Sequence, residues 1–325
     1  MIRASLLPLA LVPLWLSCVV VNAKAVEPVP GQNSSKADRP PRKVIVGTTV
    51  FGPYGKYPGL EERLDELCDL VDEMTALTAK RYPGRGLDLA ILTESAATAT
   101  SGPAHDRAVP LKGEVRDTIG ALARRHKSYI LLPLNLAEEG PHGPIASNAA
   151  VLFDRRGEVA GICRKLHPVA GVGSDELEAG ITPGRYAPVF KCDFGNLGVQ
   201  ICWDIQFDDG WDALGLSVAE IVAWPSQSPA TVLPAARAFR HRYYVISSVW
   251  RDNATIFEPT GMVAAQILPP EWILVHQLDL SYSILGWSSF LRNGQTLKDK
   301  FGEKVGFHYS TREDTARPSR NPRSG

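Results

Sequence analysis

The chain is short of the signatures that define many protein classes. None of its five cysteines forms a Cys-x-x-Cys pair, which argues against zinc-ribbon and thioredoxin-type sites. It contains no Gly-x-Ser-x-Gly elbow, no Gly-x-x-x-x-Gly-Lys-Ser/Thr loop and no His-Glu-x-x-His helix. Serine-elbow, phosphate-loop and zincin chemistry are therefore unsupported. Its seven histidines are scattered along the chain, so no metal or cofactor is expected. Formal net charge is +0, and with no basic surplus a nucleic-acid partner is not expected.

Only one long apolar run is present, residues 6–21, and it lies at the N-terminus. Arg3 precedes it and Ala23-Lys-Ala25 follows with a small-x-small pattern. These are the parts of a secretory signal, and Pro8 and Pro13 weaken a membrane helix there. Residues 1–25 are expected to be a signal peptide and the mature chain to be exported, periplasmic or secreted, with no further membrane attachment. Residues 26–42, rich in Pro, Ser, Lys and Gly, read as a flexible linker. Four cysteines remain after it: Cys68, Cys163, Cys192 and Cys202. If Cys202 stays a free thiol, at most one internal disulfide can form.

What remains has the 44% hydrophobic content of a chain able to bury a core. Residues 43–50 form a β-branched apolar strand. Leu60, Leu64, Leu67, Val71 and Met74 recur at helical spacing and predict a helix over residues 59–81. Residues 87–94 read as a buried strand, 114–126 as a second helix and 129–134 as another strand. Segments 148–153 and 158–165 flank a turn at 154–157 and predict a hairpin. Segments 189–194 and 197–202 predict a second. Later strands are expected at 220–224, 243–249, 262–267 and 272–280. Strands that alternate with helices and also form hairpins indicate an α/β chain with mixed sheets. One domain is expected over residues 43–291, followed by an extension, 292–325, whose end from Arg312 reads as disordered.

Three polar residues close apolar runs: Glu94, Lys165 and Cys202. A thiol at the carboxyl end of a strand sits where α/β folds place their chemistry. A carboxylate can take its proton during attack, and a fixed ammonium can stabilise the oxyanion that results. Backbone N–H groups just after the thiol, beginning with Trp203, can assist. Each residue has a plainer reading: Cys202 as core, Lys165 as a solvated strand end, Glu94 as a surface acid.

The local words outweigh those readings. Ile91-Leu-Thr-Glu94, Arg164-Lys-Leu-His-Pro168, Thr182-Pro-Gly184, Gly198-Val-Gln-Ile-Cys-Trp-Asp204 and Ala219-Glu-Ile-Val-Ala-Trp-Pro-Ser226 occur in that order. The chain from about Lys43 to Leu280 thereby resembles the nitrilase superfamily of carbon–nitrogen hydrolases. The resemblance implies an αββα four-layer sandwich with two mixed sheets, and protomers that pair face to face as a homodimer or larger oligomer. It implies a catalytic triad of Glu94 as base, Lys165 as oxyanion partner and Cys202 as nucleophile. It also implies a supporting glutamate before the strand opened by Asn148, for which Glu139 is the choice and Glu138 the next. The expected activity is hydrolysis of a small amide through a Cys202 thioester. The alternatives are a nitrilase, an N-acyltransferase and an inactive ligand-binding relative. The family's usual Pro before the glutamate is Thr93 here, its Phe-Pro-Glu is Phe207-Asp-Asp209, and its Arg-Ala-x-Glu is Arg237-Ala-Phe-Arg240. Cys202-Trp-Asp-Ile205 is closer to the amide-hydrolysing branches than to true nitrilases.

Overall fold

The computed structural model describes residues 42–171, 176–286, 288–310 and 315–320. The signal peptide expected over residues 1–25, and all but the last residue of the linker, lie outside the described residues. The chain runs β1 (Lys43–Thr49), α1 (Leu60–Arg81), β2 (Leu89–Ile91), α2 (Ala104–Arg107), β3 (Val109–Pro110), α3 (Glu114–His126), β4 (Tyr129–Gly140), β5 (Gly143–Phe153) and β6 (Val159–Arg164). It continues through β7 (Val189–Cys192), β8 (Gly195–Val199), α4 (Asp209–Leu216), β9 (Ile221–Ser226), α5 (Val232–His241), β10 (Tyr244–Val249), β11 (Thr255–Phe257), β12 (Val263–Gln266) and β13 (Ile273–Asp279).

These strands make two sheets, ordered β13-β1-β2-β4-β5-β6, with β3 beside β4, and β12-β11-β10-β9-β8-β7. Both are mixed. β1, β2 and β4 are parallel, as are β8, β9 and β10. β5 opposes β4 and β6 opposes β5, so β6 points the same way as β2. The carboxyl ends of β2 and β6 therefore open on one side.

Alternation along each strand sorts its side chains into layers. Val44 and Val46 of β1 enter a core shared with Leu131, Leu197, Val199, Ile221 and Ile246, which lies between the two sheets. Ile45 enters a different core with Leu64, Leu67, Val71 and Met74 of α1 and Ile119 of α3. On the outer face of the second sheet, Val222 and Val245 share a third core with Trp211, Leu214 and Ala238. The layers are helix, sheet, sheet, helix, the αββα sandwich expected from the sequence. Helix α1 forms because its buried residues fall on one stripe, with Glu61 and Glu62 in the first turn and Lys80 and Arg81 in the last opposing the helix dipole. Close approach matters at Gly198 of β8, where a Cβ would stand 2.8 Å from Leu214 Cδ2. The missing side chain lets α4 lie against the sheet.

Buried hydroxyls tie the sheets together near their carboxyl ends. Thr48 Oγ1 donates to the Ser247 carbonyl at 2.6 Å, and Ser248 Oγ to the Ile91 carbonyl at 3.1 Å.

Several expectations change. The strand predicted over residues 87–94 is paired only over Leu89–Ile91, so Glu94 lies beyond the sheet in a turn. β4 continues to Gly140 and leads directly into β5, which makes Glu138 and Glu139 ladder residues opposite Ile145 and Pro144, not loop residues. Helices α4 and α5 were not anticipated. Beyond the sandwich come β14 (Leu285–Gly286), α6 (Gln295–Phe301), β15 (Val305–Ser310) and β16 (Thr315–Arg320), the strands forming a small sheet ordered β14-β16-β15. The tail read as disordered from Arg312 thus contains a strand, paired antiparallel with β15. The small sheet also draws on residues before 291, the boundary expected from the sequence. All four described cysteines are free thiols. Among the described residues, no helix is long and apolar enough to cross a membrane.

Candidate active site

Three strand ends converge. Glu94 follows β2, Lys165 follows β6 and Cys202 follows β8. Glu94 is fully buried and Lys165 is 1% exposed. The Glu94 carboxylate accepts three N–H donors: Lys165 Nζ at 3.0 Å and Asn148 Nδ2 at 2.8 Å on Oε1, and the Gln227 backbone at 3.0 Å on Oε2. Trp250 Nε1 donates to the Glu94 carbonyl at 2.8 Å. With both oxygens and the main chain held, this carboxylate has one orientation.

Cys202 opens a single 3₁₀ turn, Cys202–Gln206. Its φ of 43° lies in the left-handed region that non-glycine residues seldom adopt. Trp224 Nε1 holds the Cys202 carbonyl at 3.0 Å. The buried Asp204 carboxylate accepts the backbone N–H of Ile201 at 3.0 Å, of Leu166 at 3.1 Å and of His167 at 2.8 Å. It therefore ties the turn bearing Cys202 to the turn after Lys165. Burial raises its pKa against the opposing pull of these N–H groups.

Burial also pushes the Cys202 thiol up to about 12, and the charge of Glu94 adds to the shift. Lys165, the Ser226 hydroxyl and the Gln227 N–H act in the opposite direction. The resting group is a protonated thiol that needs a base at the moment of attack. Burial alone would lower the Lys165 ammonium, but Glu94, Cys202 and Glu178 outweigh it and raise its pKa. Lys165 stays charged throughout any neutral range.

Glu178 is the residue that the sequence did not disclose. Its Oε1 accepts from Lys165 Nζ and from the Val169 N–H at 3.1 Å, and its Oε2 accepts from Asn148 Nδ2 at 3.1 Å. Asn148 thus donates to both glutamates that flank the ammonium. The segment around Glu178 has no periodicity, and its only hint is its closeness in sequence to Lys165.

Glu139, the expected supporting glutamate, does not join this group. It is an exposed residue of the β4–β5 ladder. Glu138 is engaged elsewhere, pairing with the Arg164 guanidinium and accepting from Ser147 Oγ at 2.9 Å. Trp203 adjoins Cys202 in the turn, but its indole is 41% exposed.

Lys165, Glu178, Asn148, Gln227 and Cys202 line one cavity of about 490 Å³, together with Ser95, Arg107 and Val169. A pocket of this size takes a small organic molecule.

Residues 52–284 match the carbon-nitrogen hydrolase family, and the chain belongs to that family. Among curated relatives it is 30% identical over 157 residues to the β-ureidopropionase of Arabidopsis thaliana, covering 46% of this chain and 38% of that protein. It is 26% identical over 253 residues to the deaminated glutathione amidase of Rattus norvegicus, covering 69% of this chain and 74% of the relative. The first of these matches spans little more than a third of the relative's length. Among solved structures, Saccharomyces cerevisiae Nit3, a nitrilase-superfamily member, superposes with a TM-score of 0.61 at 18% identity, covering 73% of this chain and 90% of Nit3. A double mutant of the amidase from Nesterenkonia sp. AN1 in complex with acrylamide superposes with a TM-score of 0.57 at 18% identity, covering 73% of this chain and 91% of that one. These likenesses establish the shared fold.

Proposed function

We propose that this protein hydrolyses a non-peptide carbon–nitrogen bond of a small amide through a thioester on Cys202. One observation carries the reading: a buried ammonium, Lys165, held between the carboxylates of Glu94 and Glu178 on the wall of the cavity that Cys202 also lines. A core lysine has no need of two acids beside a thiol. An amide-cleaving site needs a base, a cation and a nucleophile together.

In this mechanism Glu94 accepts the thiol proton as Sγ adds to the amide carbon. The developing oxyanion is stabilised by the Lys165 ammonium. Collapse of the tetrahedral adduct breaks the carbon–nitrogen bond, and Glu94 returns the proton to the departing nitrogen. A water molecule then attacks the thioester, giving its proton to Glu94, and the acid and the free thiol are released. Glu178 takes no proton; it holds Lys165 in place. The names of similar proteins agree with this class, including the amidase bound to acrylamide and the β-ureidopropionase.

The test is ammonia release from a panel of small amides and nitriles, with intact mass followed in parallel. Turnover of amides and a trapped acyl adduct on Cys202 are expected, and Cys202→Ala should abolish both. Ammonia from nitriles alone would move the enzyme to the nitrilase branch. No turnover and no thiol adduct would favour a binding protein instead. We infer export from Arg3, the apolar run and Ala23-Lys-Ala25. N-terminal sequencing should find Val26 as the first residue, and a protein that still begins at Met1 would overturn this.

A further inference from the structure

The turn that carries Glu94 is bound to the second sheet by a closed circuit of hydrogen bonds that begins one residue before it. Thr93 Oγ1 donates to the Phe51 carbonyl at 2.9 Å. The Phe51 N–H donates to the Val249 carbonyl at 2.9 Å, and Val249 is the last residue of β10. The next residue, Trp250, closes the circuit with its indole bond to the Glu94 carbonyl. β10 lies in the sheet whose β8 leads to Cys202. The far end of the same turn is held by the loop after β1, where Tyr57 Oη donates to the Ala97 carbonyl at 3.0 Å. The Arg63 guanidinium lies 5.4 Å from the centre of the Phe51 ring and 5.9 Å from that of Tyr57, and its charge over both rings braces both contacts.

Thr93 stands where the family usually has proline. Proline has no hydroxyl to donate, so the circuit belongs to the threonine. Thr93 is fully buried and is not among the residues that line the cavity, so contact with substrate does not account for it. Thr75 and Thr78 of α1 satisfy their hydroxyls on the carbonyls four residues before them. Thr93 instead reaches a carbonyl 42 residues away in sequence. A buried acceptor that loses its donor is costly, so separation of the turn from Phe51 is opposed. The side chain of Glu94 crosses to the second sheet as well, since its Oε2 accepts the Gln227 N–H just beyond β9. Backbone and carboxylate are thus both referred to the sheet that delivers the thiol.

We infer that Thr93 is a positioning residue: its hydroxyl sets the place of Glu94 against the sheet that carries Cys202, and so governs proton transfer and not substrate binding. This rests on the hydrolase reading above, in which Glu94 is the base. The hydroxyl acts through the Phe51 carbonyl and the Val249 carbonyl beyond it, and Thr93 itself touches no reacting atom. Small displacements of a reacting group are expensive in rate, which is why one buried hydroxyl outside the cavity matters to turnover.

The test measures kcat and KM of Thr93→Val and Thr93→Ser with an amide that the wild type turns over. Valine keeps the branched shape and removes the hydroxyl; serine keeps the hydroxyl and removes the methyl group. Thr93→Val should lower kcat by about 10- to 100-fold, the range for a misplaced reacting group, with KM little changed. Thr93→Ser should recover most of that loss. A Thr93→Val enzyme with wild-type kcat, or one altered in KM alone, overturns the inference. So does a Thr93→Ser enzyme as slow as Thr93→Val, since packing of the methyl group would then be the cause. The thiol gives a second readout that needs no turnover. Glu94 raises the Cys202 thiol, so Glu94→Gln should lower its titration midpoint, and Thr93→Val should move it part of the way in the same direction. If the wild type turns over no amide, the hydrolase reading fails while this shift still tests the positioning. A shift in Thr93→Val that is absent from Thr93→Ser sustains it, and a Thr93→Val midpoint equal to that of the wild type overturns it.

Discussion

Asp204 accepts the backbone N–H of His167 at 2.8 Å, and through this contact the chain segments bearing Lys165 and Cys202 are fastened to each other. The carboxylate is buried, 1% exposed, and bonds to the Ile201 N–H with its other oxygen. It fixes how far apart the ammonium and the thiol can be without touching substrate.

Replacing Asp204 with Ala leaves up to three backbone N–H groups buried without an acceptor. A loss of about 2–4 kcal/mol in unfolding free energy is expected, at 1–3 kcal/mol for each unsatisfied group less what water recovers. Urea denaturation measures it. Asp204→Asn keeps one acceptor oxygen and should fall between wild type and Ala; an Ala variant as stable as wild type would refute the fastening role.

Glu178 and Glu139 make opposite predictions. Glu178→Gln removes a charge in contact with Lys165, and kcat for a turned-over amide should drop by about 100-fold or more, in the range of a lost electrostatic contact. Glu139→Gln changes an exposed ladder residue and should stay within about 2-fold, as surface substitutions do. The reverse order of effects would restore Glu139 as the supporting acid.

Alkaline stability follows from the thiols. Burial holds Cys68 at about 11, Cys192 at about 12 and Cys202 at about 12, above their ordinary value of 9.0. Between pH 9 and 12 the folded chain binds more protons than the unfolded chain. Unfolding free energy therefore falls as pH rises through this window and is retained below it. Thermal melts at increasing pH should show this decline. In Glu94→Gln, removing a charge that raises the Cys202 thiol should lower its titration midpoint, read by thiolate absorbance, while amide hydrolysis is lost.

Gly198→Ala places a methyl group 2.8 Å from Leu214 Cδ2. Overpacking of this kind costs about 1–3 kcal/mol. Because β8 leads directly to Cys202, the variant should lose activity at temperatures well below its melting point, which paired activity and circular dichroism scans will reveal.

The legible parts of this molecule were those with a local signal. Glu94, Lys165 and Cys202 each end a hydrophobic run, and their neighbouring words mark them as candidates, which the fold brings together. Helix α1 was legible from the spacing of Leu64, Leu67, Val71 and Met74. Glu178 was not, because its position depends on two successive left-handed residues in an acid-rich loop that looks like solvent-facing surface. Glu139 misled because the β4–β5 ladder extends past the apolar residues into a polar hairpin, and hydrophobicity stops marking a strand where the strand leaves the core. Helices α4 and α5 were missed for a related reason. They are short, and Gly210 and Gly215 interrupt one while Pro234 opens the other.

The three groups of the proposed mechanism come from different sheets: Glu94 and Lys165 from one, Cys202 from the other. If that mechanism operates, the thickness of the hydrophobic layer between the sheets, about 10 Å in such sandwiches, also bears on the distance over which these groups must act. The bond from Ser248 Oγ to the Ile91 carbonyl acts as a spacer at the end where it matters. Catalytic rate thus serves as a ruler for interior compression. Hydrostatic pressure, or one methylene added at Ile246, should alter turnover while secondary structure is still whole.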